Sequence, residues 1–315
     1  MLNQPIVFAP IYQERPWGGR ALQEHYGRRL RAGAIVGEAW EMVDRPEAQS
    51  AACAGAYAEA TLHSLWKGHR AAVFGKNAGQ SERFPLLIKL LDARETLSVQ
   101  VHPSGLEAGE SGTEPKNEWW YILEAEPGAA VYAGFRKGVD RAALEQALAT
   151  GEVEALLHRI PVAKGDSIYV PVGRCHAIGA GCLIAEVQQN SDTTYRIFDW
   201  NRVGLDGQAR PLHISESLAC IDFSDHEPSL APPLQKAAFG CDFFGVEWLD
   251  LKESRNVVGE TGPLFMVVEG EVQVGAHRAV KGDWFVLPVE AGAVEFVPQT
   301  EGAALLRVSL PDCSC

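Results

Sequence analysis

Two histidines, two carboxylates, an amide and several cations recur through the middle of this chain at spacings that suit a metal centre. In "LSVQVHPSG" (97–105), Gln100 and His102 stand two residues apart, Ser98 precedes them by the same step, and Val99 and Val101 fall between. Successive strand side chains point to opposite faces, so Ser98, Gln100 and His102 share one face and the valines take the other. Lys116 and Glu118 in "KNEWWYIL" share a face by the same rule, and His176 follows the turn "VPVGRC". Two imidazoles, a carboxylate and a nearby amide oxygen make a borderline donor set, suited to Zn²⁺, Mn²⁺, Co²⁺ or Fe²⁺ with room for water or substrate. Gln100, His102, Glu118 and His176 are therefore the expected metal ligands.

A second polar run lies in "LIAEVQQNSDTTYRIFDWNR" (183–202), where Glu186, Gln188 and Asn190 share a face. A polar inner face is costly unless it lines a wet cavity. Arg196, Arg202, Lys89 and Lys116 could supply the local cations that a phosphate would need in an acidic protein. Ordinary ion pairing is the alternative for Arg202 and Lys89. The remaining histidines (His25, His63, His69, His158, His213, His226 and His277) have no such company and read as surface or structural.

The elements that must position these groups are mostly strands. Runs such as "PIVFAPIY", "GEAWEMV", "FPLLIKLLDA", "EWWYILEA", "DSIYVPVG" and "LFMVVEGEVQV" are short and bounded by Gly, Pro, Asn or Asp, the pattern of a β-sandwich or barrel. Two segments read as helices instead. One starts at the cap Thr61 with Leu62, Leu65 and Trp66 on one face. The other starts at Asp140, carries Leu144 and Leu148 four apart and breaks at Gly151, with a second short helix through Leu157.

An internal repeat organises the strands. "VAKGDSIYVPVGRCHAI" (162–178) resembles "AVKGDWFVLPVEAGAVEF" (279–296), and "EWWYILEAEPGAAVYAG" upstream resembles "PLFMVVEGEVQVGAHRA". The expected architecture is mainly β: two jelly-roll sandwich units, the first with a small helical insert. The first unit spans 1–222 with its insert at about 139–158, the second spans 240–315, and the polar, proline-rich stretch 222–240 separates them. Glu118 and His176 have no polar counterpart in the second copy, where Pro263 and Ala293 or Val294 stand. The chemistry therefore belongs to the first unit.

Composition narrows the function classes. A formal charge of −13 with no offsetting basic stripe argues against nucleic-acid binding. Seven cysteines with no C-x-x-C pair suggest reduced thiols and a cytoplasmic setting, although the terminal "CSC" could take up a metal adventitiously. No stretch approaches the ~20 apolar residues of a membrane span. Nothing in the composition fixes an oligomeric state.

The motifs "RPWGG" (15–19), "GEAWE" (37–41), "FPLLIKLLDARETLSVQVHP" (84–103), "KNEWWYIL" (116–123), "GDSIYVPVGRCHAIGAG" (165–181) and "EVQQNSDTTYRIFDWNR" (186–202) occur in this order. Together they resemble the type I mannose-6-phosphate isomerases, zinc-dependent cupins, in their short bacterial form. The resemblance implies one Zn²⁺ per chain on Gln100, His102, Glu118 and His176, with Mn²⁺, Co²⁺ or Fe²⁺ as alternatives. It implies a small-molecule sugar-phosphate partner and a catalytic arginine at Arg196. The implied reaction interconverts mannose 6-phosphate and fructose 6-phosphate through a cis-enediol. Glu186 and Lys116 are candidates for the proton-transfer base, and Trp17, Ser98 and Lys89 for substrate contacts. Family members usually carry a small residue or Thr where Cys175 stands, which would bring a thiol near the metal. The alternatives are an Fe²⁺ cupin dioxygenase using the same ligands, or a sugar-phosphate-binding cupin without turnover.

Overall fold

A computed structural model describes residues 4–55, 57–105, 113–259 and 263–311. The chain divides into two compact units: 12–39 with 88–231, and 1–11 with 40–87 and 232–315. The expected boundary at 222–240 thus contains one of four crossings. The N-terminal residues and the 40–87 segment belong to the same unit as the C-terminal repeat. A boundary inferred from linker composition marks where the chain leaves a unit once; it cannot reveal earlier excursions made inside strands.

The 12–39 and 88–231 unit is organised by eleven strands in two antiparallel sheets, whose first three strands extend across the crossings. In chain order these are β1 (Ile11–Gly19), β2 (Val36–Met42), β3 (Leu86–Ala93), β4 (Val99–Val101), β5 (Glu118–Ala125) and β6 (Ala130–Phe135). They continue with β7 (Leu157–Pro161), β8 (Ser167–Val170), β9 (His176–Ile178), β10 (Cys182–Gln189) and β11 (Tyr195–Phe198). The six-stranded sheet runs β8-β5-β10-β3-β2-β1 and the five-stranded sheet β11-β4-β9-β6-β7.

Alternation along each strand sorts the side chains as the sequence predicts. Leu91, Trp120, Ile122, Ile168 and Ile184 of the larger sheet meet Val131, Ala133 and Ile178 of the smaller in one apolar cluster. Each fully buried Leu, Ile or Val among them contributes roughly 1.5–3 kcal/mol. Val99, Val101, Cys175, Ala177 and Ile197 lie on the outer face of the smaller sheet, packed with Leu144, Ala147 and Leu218 from the helices Arg141–Thr150 and Ile214–Cys220. The first of these is the expected insert helix. Asp140 accepts a hydrogen bond from the Ala143 N–H at its start, and Gly151 ends it in the left-handed conformation (φ 78°). A short 3-10 turn, Val153–Leu156, follows.

The unit holding the C-terminal repeat has its own pair of sheets, of five and four strands, around Phe265, Phe285 and Phe296. It also carries the helix Leu62–Gly68, capped by Thr61 as expected. The run "PIVFAPIY" is two strands, Val7–Phe8 and the start of β1, because Pro10 has no N–H to continue a ladder.

The repeat is physical. Ile168 pairs with Trp120 in one copy and Phe285 with Phe265 in the other. Both Lys-Gly-Asp turns use glycine at positive φ (Gly165 95°, Gly282 91°). In both, the aspartate accepts from a backbone N–H three residues earlier, Asp166 from Ala163 at 2.8 Å and Asp283 from Val280 at 2.9 Å.

Candidate metal centre and active-site cleft

The interior of the first pair of sheets is apolar at one end and polar at the other. His102, Glu118 and His176 are fully buried, and their donor atoms lie within 4.8 Å of one another. Among the described residues no other such cluster of His, Cys, Asp or Glu forms. Glu118 Oε1 is 3.1 Å from His102 Nε2 and Oε2 is 3.9 Å from His176 Nε2.

Both rings are oriented from behind. His102 Nδ1 is 3.0 Å from the Thr193 carbonyl and His176 Nδ1 is 2.8 Å from the Arg174 carbonyl. Each Nδ1 therefore carries the proton, and each Nε2 lone pair faces the carboxylate, the arrangement that fixes a metal-binding tautomer. His176 Nε2 is buried with no hydrogen-bond partner, as a vacant donor would be. Burial, with Lys116 nearby, lowers His102 to about 3, and burial lowers His176 as well, so both rings are neutral at physiological pH. Burial opposes charge on Glu118, but Lys116 and the two histidines outweigh it and hold the carboxyl well below its ordinary range. Two neutral imidazoles and an ionised carboxylate fit a divalent metal.

Gln100 stands opposite His176 in the β4–β9 pairing and lines the cleft that opens over this centre. The cleft encloses about 550 Å³. Trp17, Lys89, Ser98, Lys116, Glu118, Glu186 and Arg196 all border it, so the structure brings the sequence-selected set together.

Lys116 Nζ lies 2.7 Å from Glu118 Oε1 and 3.4 Å from His102 Nε2. Lys89 Nζ is 3.1 Å from Glu186 Oε1, with both side chains only 5% exposed, so this is a buried pair and not surface ion pairing. The Trp120 indole N–H lies 3.1 Å from Glu118 Oε2 and 3.0 Å from Glu186 Oε2, linking the two carboxylates. Burial pushes Glu186 up, and the Glu118 charge adds to this against the pull of Lys89. Gln188 is fully buried and its amide serves the following turn, bonding the Gln189 and Ser191 carbonyls.

One expectation is corrected, and one of the two readings left open for Arg202 is favoured. The Cys175 thiol does not approach the metal centre: it points into the apolar cluster on the outer face, where burial raises it to about 12. Strand alternation sends residues 175 and 176 to opposite sides of the sheet. Arg202 is a structural cation, bonded to Asp199 at 2.7 Å and to the Thr96 carbonyl at 2.8 Å. The terminal "CSC" lies outside the described residues.

The sequence reading missed Arg15, Glu38, Arg210 and the loop tip Gly204–Asp206, all of which border the cleft. Arg15 Nε bonds Glu38 at 2.8 Å. A signal for the β1–β2 contribution was present in "RPWGG" and "GEAWE". A Cβ on Gly18 would fall 2.4 Å from Gly37 N, and one on Gly37 would fall 2.7 Å from the Trp17 ring. The paired glycines let β1 and β2 approach closely and bring Arg15 and Glu38 together. His213 also has a role the sequence did not suggest. Its Nδ1 accepts from the Arg196 N–H at 3.2 Å, and its own N–H donates to the Arg196 carbonyl at 2.7 Å.

Two facing antiparallel sheets with a His–Glu–His cluster at one end of their interior define a metal-binding cupin. The model of the type I phosphomannose isomerase catalytic domain matches residues 6–130. Mannose-6-phosphate isomerase ManA of Bacillus subtilis is 36% identical over 306 residues, covering 93% of this chain and 95% of that protein. The mannose-6-phosphate isomerase of Streptococcus mutans is 33% identical over 307 residues, covering 97% and 91%. The crystal structure of the Bacillus subtilis mannose 6-phosphate isomerase matches with a TM-score of 0.85 at 30% identity, over 97% of this chain and 99% of that one. The chain belongs to the type I phosphomannose isomerase family.

Proposed function

We propose that this protein interconverts mannose 6-phosphate and fructose 6-phosphate. The observation that carries the reading is one cleft that joins a buried His102–Glu118–His176 centre to a raised carboxyl, Glu186, and to arginines. Gln100, His102, Glu118 and His176 would hold a divalent ion, zinc first, which supplies Lewis acidity to the sugar oxygens when bound.

Glu186 is the proton carrier. It takes the C2 proton of the aldose as the cis-enediol forms and returns it at C1 to give the ketose. A carboxylate raised by burial is a stronger base than a free one, which favours proton abstraction from carbon. Lys89 keeps it ionised enough to accept the proton, and Trp120 fixes its orientation. Lys116, engaged with Glu118 and His102, orients the ligand set. Arg196 places positive charge where the enediolate oxygen develops. Trp17 and Ser98 wall the cleft on the substrate side. The sheets around Phe265, Phe285 and Phe296 are a degenerate second cupin, in which aromatic packing occupies the interior. Free thiols at Cys53, Cys175 and Cys182 support a cytoplasmic setting.

The test is mannose 6-phosphate turnover with detection of fructose 6-phosphate, before chelation, after it, and after adding back Zn²⁺, Mn²⁺, Co²⁺ or Fe²⁺ singly. Deuterium from solvent is expected at C1 of the product. Turnover without any wash-in would replace the enediol with hydride transfer, and no turnover with any metal would sink the isomerase reading.

A further inference from the structure

The polar run of β10 continues into the turn that follows it, and of this run only Glu186 has a place in the chemistry above. Ser191, in that turn, is fully buried. Its Oγ accepts from the Thr193 N–H at 3.1 Å and donates to the Glu114 carbonyl at 3.2 Å. The Thr193 carbonyl is the one that meets His102 Nδ1 at 3.0 Å, and Glu114 lies four residues before Glu118. One hydroxyl therefore ties the peptide that orients one candidate ligand to the segment that delivers another. Gln188, also fully buried, fixes the same turn by donating Nε2 to the Ser191 carbonyl at 2.6 Å. The Ser191 N–H closes it on the Gln189 carbonyl at 2.7 Å.

Gln189 extends the link to the third ligand. Its Oε1 accepts from the Asn117 backbone N–H at 3.0 Å and from the Asn117 side-chain amide at 2.7 Å. Its own N–H donates to the Asn117 carbonyl at 3.1 Å. Asn117 Oδ1 in turn accepts from the Val172 N–H at 3.1 Å. Val172 stands in the turn between β8 and β9, whose Arg174 carbonyl meets His176 Nδ1 at 2.8 Å. His102, Glu118 and His176 thus come from three separate stretches of chain, and residues 188–193 bond the backbone behind each. A hydroxyl that both donates and accepts fixes the two groups it joins. Removing the Ser191 hydroxyl would leave the Thr193 N–H without its acceptor and free the peptide that faces His102.

We infer that Ser191 is a positioning residue of the metal centre, and that the turn around it holds His102 in its metal-binding orientation before any ion arrives. Ser191 does not line the cleft. It acts through the Thr193 carbonyl, which sets the tautomer and ring angle of His102. The inference rests on the metal centre of the isomerase reading and extends it to a residue outside the cleft.

Zn²⁺ is the probe, titrated into metal-free protein in competition with a chelator. Ser191→Ala should weaken Zn²⁺ binding by about 10- to 100-fold, the usual effect of losing an outer-shell partner. Ser167→Ala is the control, because Ser167 is a buried serine of the same unit whose hydroxyl has no hydrogen-bond partner. Its Zn²⁺ affinity should match the wild type. A second readout needs no metal. In proton–nitrogen NMR of the metal-free wild-type protein, the His102 Nδ1 proton should exchange slowly with solvent, and in Ser191→Ala it should exchange fast. Melting temperatures identify any variant that misfolds. Zn²⁺ affinity unchanged in folded Ser191→Ala would overturn the inference, and so would an equal loss in Ser167→Ala. Should Ser191→Ala misfold, the metal-free wild type decides: a His102 Nδ1 proton exchanging as freely as that of an exposed histidine overturns the inference, and a protected one supports it. Zn²⁺ binding that depends on Ser191 in a protein without mannose 6-phosphate turnover would sink the proposed function and leave this inference standing. Turnover with Zn²⁺ affinity indifferent to Ser191 would do the reverse.

Discussion

His176 pairs in register with Gln100 across β9 and β4, and Gln100 pairs in turn with Arg196 on β11. One row across three adjacent strands thus carries a candidate metal ligand, an amide and a cation of the cleft. Neighbouring strands are about 4.8 Å apart, so the row sets these groups at intervals of roughly one strand spacing. Sheet register sets the distance between the candidate metal centre and the Arg196 backbone, and the loop holds its guanidinium through the Pro211 carbonyl at 3.0 Å.

Removing a ligand should remove the metal. His176→Ala is expected to lower metal affinity by at least about 100-fold, beyond the 10- to 100-fold effect of losing an outer-shell partner. Metal content after dialysis checks this, with activity measured alongside. Retention of a stoichiometric, tightly held ion would remove His176 from the ligand set.

Glu186→Gln should cut kcat by about 10²–10⁴-fold, the usual share of a general acid–base group, while the metal stays bound. Because Glu186 is raised, the acidic limb of the wild-type kcat/KM profile is expected above the ordinary glutamate value. Activity rises with pH through that limb as the base loses its proton. If Lys116→Met abolishes turnover and Glu186→Gln does not, the two residues exchange roles.

Lys89→Met leaves the buried Glu186 charge without its 3.1 Å partner. Breaking a buried pair in this way costs about 3 kcal/mol, visible as a lower denaturation midpoint at neutral pH. The acidic limb should also move upward, since Lys89 is a charge that lowers Glu186. A variant of unchanged stability would mean that the pair is solvated in solution.

Asp92 provides a pH dependence of stability unconnected with catalysis. It sits under the helix Ala21–Tyr26, accepting from the Ala21 N–H at 2.6 Å, and burial raises it to about 6. A carboxyl raised in the folded state binds its proton more tightly there than in the unfolded chain. Its contribution is therefore most favourable below the unfolded value near 4 and is lost as pH rises through about 6. Asp92→Asn should stabilise the protein by roughly 1–2 kcal/mol at pH 7.5, and the gain should vanish toward pH 4. A constant difference across that range would place the Asp92 pKa at its ordinary value.

Much of the centre follows from local rules. A period of two puts Ser98, Gln100 and His102 on one face and brings Lys116 to the side of Glu118, where the 2.7 Å contact now lies. Capping chemistry fixes the starts at Thr61 and Asp140 and the stop at Gly151, because each depends on residues within three or four positions. The repeat could be read because both Lys-Gly-Asp turns use the same glycine conformation and the same side-chain acceptor.

What only the tertiary structure decided depends on partners far apart in sequence. Trp120 meets Glu186 because β5 and β10 pair in one register, and a shift between Leu183 and Ile184 helps set that register. Nothing local to either strand specifies it. Alternation could assign His176 to a face, but only packing showed that Cys175 on the other face is core. Arg202 is one basic residue in a polar loop until its Nη1 meets the Thr96 carbonyl, 106 positions earlier in the chain. The excursion of 40–87 into the other unit is likewise silent in composition, since the chain crosses within strands that look like any others. Local periodicity fixes which way a side chain points. Long-range register and packing fix what it meets, because those free energies belong to pairs of segments and not to either one alone.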